Sequence, residues 1–422
     1  MPASSSLNLI FKLYHELCDR AQIPCQLEFD SESDKAGGEL RSSDLTALFE
    51  ICWAMERYWR VGSRSEAAGA VPDFKHLVMS VLVDGGEVED DERIWGCEVL
   101  GMDRSVSAQK VQLWVMSRAP ELTGCLSRFV REKVKACAAG SSGDSISSAG
   151  DNYSSDVENA FLLTCGQAWA ISLTLRNTLR EELSGVSFPE LVNESLDNIL
   201  YRSSVHGKGL NRFWSNVEGY HGPVLVLVSA SSVDTSQSDS IIKRWVIGVL
   251  TGQGFENRET FYGNSGHLYA INPVFRVISP SGKEKNFMYS HLHLSGRVYE
   301  PNPKPIGLGF GGTLGSERIF VDEDFAKVTV RHHAVDKTFQ NGSLIPNQGF
   351  LPVEASVLEV EVWGFGGKAA RQQQDSYKKR ETLFTEQRRK VDLKTFGNWE
   401  DSPEKMMMDM TSDPNRVQRE DR

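Results

Sequence analysis

Leu358-Glu359-Val360-Glu361-Val362-Trp363-Gly364-Phe365-Gly366 is the stretch whose reading decides the fold. Apolar and acidic residues alternate along it with the two-residue period of a strand. Leu358, Val360 and Val362 are expected on one side, and Glu359, Glu361 and Trp363 on the other. Upstream, Val224-Leu225-Val226-Leu227-Val228 is a continuous run rich in β-branched residues, as expected of a strand covered on both faces. Trp245 to Leu250 is similar, and Leu268 to Ile278 is a further candidate interrupted by Asn272-Pro273. Asn286 to Ser290, Arg318 to Val321 and Lys327 to Val330 read as short strands. Among them lies the glycine cluster Ile306-Gly307-Leu308-Gly309-Phe310-Gly311-Gly312, which reads as a tight connection needing positive φ and close backbone approach. Many strands divided by Gly, Pro and Asn predict a β-sandwich with a few short helices attached.

The chain before these strands is patterned differently. Leu9, Leu13 and Leu17 recur at helical spacing. So do Leu45, Phe49, Cys52 and Trp53, with Ser42 and Ser43 as caps. Behind Pro120, Leu122, Leu126, Phe129, Val130 and Val134 make a third stripe. Residues 1–137 are therefore expected to be helices that each keep one wet face. Residues 138–155, rich in Gly, Ser and Asp, read as a linker with almost nothing to bury. From Asp156, as a cap, one long helix is expected through Phe161, Trp169 and Leu173 to about Gly185. Residues 156–197, including Phe188, Leu191 and Leu196, thus form a helical connection into the strand-rich part, 198–367. Residues 368–422 are highly charged: Arg371 to Leu393 is compatible with a helix, and Glu404 to Arg422 with disorder. The fold class is α+β.

Composition limits the partners. Of 422 residues, 40 % are hydrophobic and 24 % charged, ordinary for a chain with packed cores. A formal net charge of −11 opposes general nucleic-acid binding and broad adhesion to anionic membranes. The Met-Pro-Ala-Ser-Ser-Ser start lacks a signal-peptide series, and no apolar run approaches the roughly 20 residues that span a bilayer. Seven cysteines are scattered without CxxC spacing, which points to reduced thiols and a cytoplasmic or nuclear setting.

Each candidate for chemistry lacks part of its context. Ser33 to Asp44 can be laid on an EF-hand loop, with Gly38 at the turn, Leu40 as anchor and Asp44 last. Ser33, Lys35 and Gly37, however, stand where calcium requires oxygen ligands. A degenerate, metal-free EF-hand-like scaffold and an unrelated glycine turn both remain open. Gly307, Gly309 and Gly312 spell G-x-G-x-x-G, but prolines precede the motif and a strand follows it, so no helix N-terminus meets a pyrophosphate. His291 and His293 share a strand face, and His332 and His333 are adjacent, without a carboxylate or thiol to complete a metal site. Gly263-Asn264-Ser265-Gly266 misses a nucleophile elbow because His267 replaces the last glycine. Glu359 and Glu361 could pair for acid–base work, although two carboxylates on the wet face of a strand are the commoner case. Neither a cofactor nor a metal is indicated.

Four motifs in order, Leu200-Tyr201-Arg202-Ser203-Ser204-Val205-His206-Gly207, the glycine cluster, Thr338-Phe339-Gln340-Asn341 and Glu361-Val362-Trp363-Gly364-Phe365, resemble those of a TLDc domain. The resemblance implies two antiparallel sheets, no established catalysis, and a regulatory role in oxidation resistance through binding the V-ATPase peripheral sector. It marks His206, Gly207, Gly309, Gly311, Gly312, Thr338, Phe339, Asn341, Glu361, Trp363 and Gly364 as fold-signature or partner-contact residues. A helical, EF-hand-like region before the domain is similar to the restriction-of-telomere-capping and mTOR-associated TLDc subgroup. Three departures stand out: Ile247-Gly248-Val249-Leu250 replaces the Phe-Gly-hydrophobic motif, Ser295 to Lys304 looks inserted, and Asp336 lies where relatives often carry cysteine. All seven cysteines precede residue 198, so any stress protection must run through a partner. A nuclear or nucleolar scaffold using Lys378-Lys379-Arg380 and Arg388-Arg389-Lys390, and an enzyme of unknown reaction, are the alternatives.

Overall fold

In the computed structural model, which describes residues 3–31, 35–61, 71–88, 94–95, 104–138, 161–176, 178–188, 198–234, 241–263, 265–293 and 304–397, the N-terminal part is helical. Helix α1 (Ala3–Ala21) leads through strands β1 (Leu27–Phe29) and β2 (Ala36–Arg41) into α2 (Ser42–Val61). Helix α3 (Lys75–Asp84) is followed by strand β3 (Ser105–Ser107), α4 (Ala108–Arg118), a 3-10 turn at Pro120–Gly124 and α5 (Cys125–Ala138). The first unit is helix–hairpin–helix, since β1 pairs with β2, and the second is helix–strand–helix. Their strands join because Glu39, Leu40 and Arg41 of β2 pair antiparallel with Ser107, Val106 and Ser105 of β3.

The face that α1 buries is not the expected one. Leu7, Ile10, Phe11, Tyr14 and Cys18 are buried, while Leu9 and Leu17 are exposed. Steps of four residues drift by about 40° each around a helix of 3.6 residues per turn, so the Leu9-Leu13-Leu17 row winds off the packed face. On α5, likewise, Val130 and Val134 are exposed, and the expected stripe is buried only at its start. Leu45, Phe49, Cys52 and Trp53 of α2 are buried as expected.

The single helix expected from Asp156 to Gly185 is two helices within the described residues, α6 (Cys165–Ser172) and α7 (Thr178–Ser187). Thr164 starts the first with a capping box: its hydroxyl accepts from the Gln167 N–H, and the Gln167 side chain accepts from the Thr164 N–H. Thr174 and Leu175 then bond back three residues, closing α6 with a tightened turn. Asp156, residues 139–155 of the linker, Leu191, Leu196, residues 295–303 of the insertion and the tail from Glu404 lie outside the described residues.

The strand-rich part opens with β4 (Ile199–Arg202) and two short helices, α8 (Ser203–His206) and α9 (Leu210–Val217). Then come β5 (Val224–Asp234), β6 (Ile241–Thr251), β7 (Arg258–Tyr262), β8 (Gly266–Asn272) and β9 (Arg276–Ile278). They are followed by β10 (Met288–His291), β11 (Gly307–Thr313), β12 (Ser316–Asp322), β13 (Lys327–Val330) and β14 (Val353–Gly364). These eleven strands make one antiparallel ladder in the order β7-β10-β11-β12-β13-β14-β5-β6-β8-β9, with β4 added on β14. The ladder curls until it forms two layers: a Cβ on Gly266 of β8 would come within 3.7 Å of Phe287 and Phe339, beside the far end of the order. Rings of Phe255 and Phe310 meet across the interior, 6.3 Å apart. The α+β class with a TLDc-like sandwich is what forms.

The run at 224–228 is apolar throughout because its two faces serve two cores. Leu225 and Leu227 join the core built by the helices, together with Tyr269, Phe275, Trp363 and Phe365. Val224, Val226 and Val228 point the other way and are also buried. Polar contacts close the seam between helices and sheet. The Phe275 N–H donates to the His76 carbonyl (3.1 Å), Ser80 Oγ donates to the Phe275 carbonyl, and Trp114 Nε1 donates to Ser80 Oγ (2.9 Å). Arg118 reaches the Val277 carbonyl (3.2 Å), and the Thr174 and Tyr269 hydroxyls lie 2.9 Å apart. Within the helical half, the buried Glu56 accepts from Arg60, Arg180 and Trp169 Nε1, tying α2 to α6 and α7.

The described residues from Lys368 onward belong to a second unit. They lie in α10 (Gly367–Gly397), longer than the Arg371 to Leu393 expected, with Leu383 and Phe384 exposed and the Arg388 guanidinium over the Phe384 ring. Among the described residues no helix is long and apolar enough to cross a membrane.

Candidate functional site

The closing strand does not present two wet carboxylates. A bulge between Val357 and Glu359 shifts the alternation, so Leu358 is exposed while Val360, Glu361, Val362 and Trp363 are all buried. Glu361 is 0 % exposed. Its Oε1 accepts the Leu162 N–H (3.0 Å) and its Oε2 accepts Trp363 Nε1 (3.1 Å). Arg202, opposite on β4, holds Nε 3.4 Å from Oε1 of both Glu361 and Glu359. Burial outweighs these contacts and pushes the Glu361 carboxyl above its ordinary range. The Phe161 ring lies between the Arg202 guanidinium (4.9 Å) and Trp363 (5.8 Å). The carboxylate thus clamps the Phe161–Leu163 segment onto the sheet.

His206 and Gly207 complete this cluster. The Arg202 N–H donates to His206 Nδ1 (2.9 Å), the imidazole stacks on Tyr201, and the Tyr201 hydroxyl donates to the Gly207 carbonyl (2.7 Å). Glu359 accepts the Ser204 N–H (3.0 Å). Gly364 has to be small because a Cβ there would sit 2.6 Å from the Tyr220 ring, whose hydroxyl accepts the Gly366 N–H.

A second cluster gathers the other two motifs. The glycine cluster is not a connection: residues 307–313 are strand β11 in the middle of the ladder, paired with β10 and β12. The expectation of close approach and positive φ does hold inside that strand. Gly311 has φ 65°, and its Cβ would be 2.7 Å from Phe339; Gly312 has φ 76°, and its Cβ would be 2.2 Å from the Ser316 carbonyl oxygen. Gly309 faces Tyr289 and Phe320 across its two neighbours. The Gly312 N–H donates to Thr338 Oγ1 (3.1 Å), and both the Thr338 N–H and its hydroxyl donate to Asp336 Oδ1 (2.7 Å each). Phe339 is buried edge-on against Phe287 (5.2 Å). Beneath them Arg318, fully buried, lies 3.4 Å from Asp336 and donates to the Gln340 carbonyl (2.7 Å) and the Gly342 carbonyl. Asn341, between those two carbonyls, is exposed.

The family model of the TLDc domain matches residues 173–366. The chain carries a TLDc domain. Comparison with curated proteins gives no match. The TLDc match takes in α7 as well as the eleven-stranded ladder, and it ends at the closing strand.

Within the TLDc domain, sequence reasoning missed Arg202 and Arg318. Each is a cation at the end of an apolar run, Leu200-Tyr201-Arg202 and Arg318-Ile319-Phe320-Val321, and that anomaly was the available signal. Asp336, noted only as a departure, is the ion partner of Arg318. The His291 and His293 rings are 6.3 Å apart with His291 buried, and His332 stacks flat on Phe350 (4.8 Å). Among the described residues no group of three or more His, Cys, Asp or Glu is placed to hold a metal ion. Outside the domain, Asp44 of the EF-hand-like stretch is buried, with Oδ1 accepting the Tyr14 hydroxyl (2.9 Å) and Oδ2 accepting the Arg41 N–H (2.9 Å) and guanidinium. Ser33 and Asp34 lie outside the described residues.

Proposed function

We propose that this is a non-enzymatic regulatory protein whose TLDc domain engages peripheral subunits of the V-ATPase and shifts the pump's assembly, in the service of oxidative-stress resistance. One observation carries the non-catalytic part: Glu361, the acidic residue of the closing signature, has both oxygens committed to the backbone of Leu162, the Trp363 indole and Arg202. A carboxylate spent on scaffolding is poorly placed to exchange protons with a substrate. The V-ATPase as partner rests on what TLDc domains are known for as a family. A cytoplasmic location, with the nucleus or endomembrane surface as a second address, belongs to the same reading.

The helical half supports the subgroup reading. What supports it is that two helical units are joined by the antiparallel β2–β3 pair, with Leu40 and Val106 buried opposite each other. In the proposed scaffold the Arg41 guanidinium stands in for the cation at Asp44.

The test is affinity capture of the tagged full chain from its own cell lysate, read by mass spectrometry. A chain ending at Ala355 serves as the comparison, with circular dichroism to report whether it still folds. Enrichment of V-ATPase peripheral subunits by the full chain alone is the expected result. Their absence from a lysate that contains the assembled pump overturns the partner reading.

A further inference from the structure

The loops anchored by Arg318 and Asp336 end in apolar side chains that face solvent. Val335 is 85 % exposed, Leu351 81 % and Phe350 68 %. Contacts between the loops put these tips in one neighbourhood: His332 stacks on Phe350, and Gln348 Nε2 donates to the Val330 carbonyl (2.9 Å). Their backbone is held from below, since Arg318 bonds the Gln340 and Gly342 carbonyls and Asp336 bonds Thr338. A mobile loop can fold its apolar residues away, whereas a pinned loop displays them, and a displayed apolar cluster marks an interface.

Charge tells what kind of partner fits. Near Val335 lie the exposed Lys337, Lys283 and Lys285, with Glu284 3.3 Å from Lys337, while the exposed Glu354, three residues after Leu351, is paired with Lys327. The Glu284 N–H donates to the Lys337 carbonyl (3.2 Å), which keeps the two loops together. This basic rim belongs to a chain of net charge −11. Nucleic acid and anionic bilayers extend their charge across the whole facing surface and repel such a chain. A protein with a local acidic patch meets only the rim.

We propose that the Val335, Phe350 and Leu351 tips, rimmed by Lys283, Lys285 and Lys337, form a docking surface for an acidic protein with an apolar cleft. This rests on the reading of the chain as a binding module, but not on which protein it binds. The tips supply the desolvated anchor and the lysines steer approach.

The test uses the full chain in its own cells, with p-benzoylphenylalanine at Val335 or Leu351 and, as control, at the exposed Ser215 of α9. Light-induced adducts are digested and sequenced. The expected result is an adduct from Val335 and Leu351, absent from Ser215, on a peptide rich in Asp and Glu. Its yield should fall at least about tenfold in the Lys283→Glu, Lys285→Glu double variant, whose exposed positions leave folding intact. If that peptide belongs to a V-ATPase peripheral subunit, both readings stand. If it belongs to another acidic protein, the surface stands and the V-ATPase reading falls. Adducts between two copies of this chain, adducts insensitive to the charge reversal, or no adduct above the Ser215 control overturn the surface.

Discussion

The closing-strand cluster and the glycine-strand cluster each set an arginine against a buried carboxylate, and they differ in what that pair holds. Arg202 and Glu361 hold something inward: the Phe161–Leu163 segment is clamped between sheet and helices, and Phe161 is the arginine's own lid. Arg318 and Asp336 hold something outward: the carbonyls of Gln340 and Gly342 are fixed from beneath while Val335 and Asn341 on the same loop face solvent. The same chemistry therefore serves closure in one place and display in the other. The proposed contact surface therefore lies over Arg318, where the exposed tips gather, and not over the buried Glu361.

The largest effects separate these two pairs. Arg318→Ala strands Asp336, whose side chain is 1 % exposed, and removes the donors to two loop carbonyls, so a loss of about 4 kcal/mol is expected. Glu361→Ala leaves Arg202 with the partly exposed Glu359 still in reach, and should cost only about 2 kcal/mol. Denaturant unfolding of the full chain with both variants measures the order. Equal costs, or the reverse order, would mean that the inward pair is the less compensated of the two.

A second test sharpens the contrast from the inner side. His76 sits in the seam with its carbonyl bonded to Phe275 and its ring 6.1 Å from that side chain. Burial depresses its pKa from 6.5 to about 4, with Asp73 opposing weakly. The unfolded chain therefore takes up the proton first, and stability is intact above pH 6.5 and falls until the pH drops below about 4. Between about pH 7 and pH 5 the loss is expected to be about 2 kcal/mol. His76→Phe should remove that part of the pH dependence. Unfolding curves of both proteins at the two pH values that run parallel would show that the seam does not hold a neutral imidazole.

Much of this architecture could be read from residue order, and the failures have physical causes. Strands were legible wherever apolar residues ran on continuously, as at Val224 to Val228, or alternated with polar ones in the sequence, as from Leu358 to Val362. Parity was lost at Leu358 because a bulge adds a residue without leaving a mark in the pattern. The face of α1 was misread because apolar residues run most of the way around it, so two stripes compete and tertiary contacts choose between them. The glycine cluster was taken for a connection since glycine usually breaks a strand; here the crowding by Phe339 and the Ser316 carbonyl favours it within one. The exposed tips were illegible. Val335, Phe350 and Leu351 have the composition of core residues, and nothing in the residue order marks the neighbouring carbonyls of Gln340 and Gly342 as held by Arg318.

The finest version of the comparison lies within one four-residue signature, Thr338-Phe339-Gln340-Asn341. Thr338 turns inward, where its hydroxyl donates to Asp336 and accepts from the Gly312 N–H, and Asn341 turns outward beside the carbonyls that Arg318 holds. Thr338→Val keeps the shape but leaves the Gly312 N–H without its acceptor in a crowded strand, and should cost about 1.5 kcal/mol. Asn341→Ala changes an exposed side chain and should stay within about 0.5 kcal/mol. Calorimetric melting of the two variants distinguishes the roles: a large shift for Asn341→Ala would place that residue with the scaffold. If its stability is unchanged, the amide is free for contact, and its effect should then be read in the yield of the adduct formed from Val335, three residues before Thr338 on the same anchored loop. A drop in that yield without a change in melting would extend the docking surface to the signature itself.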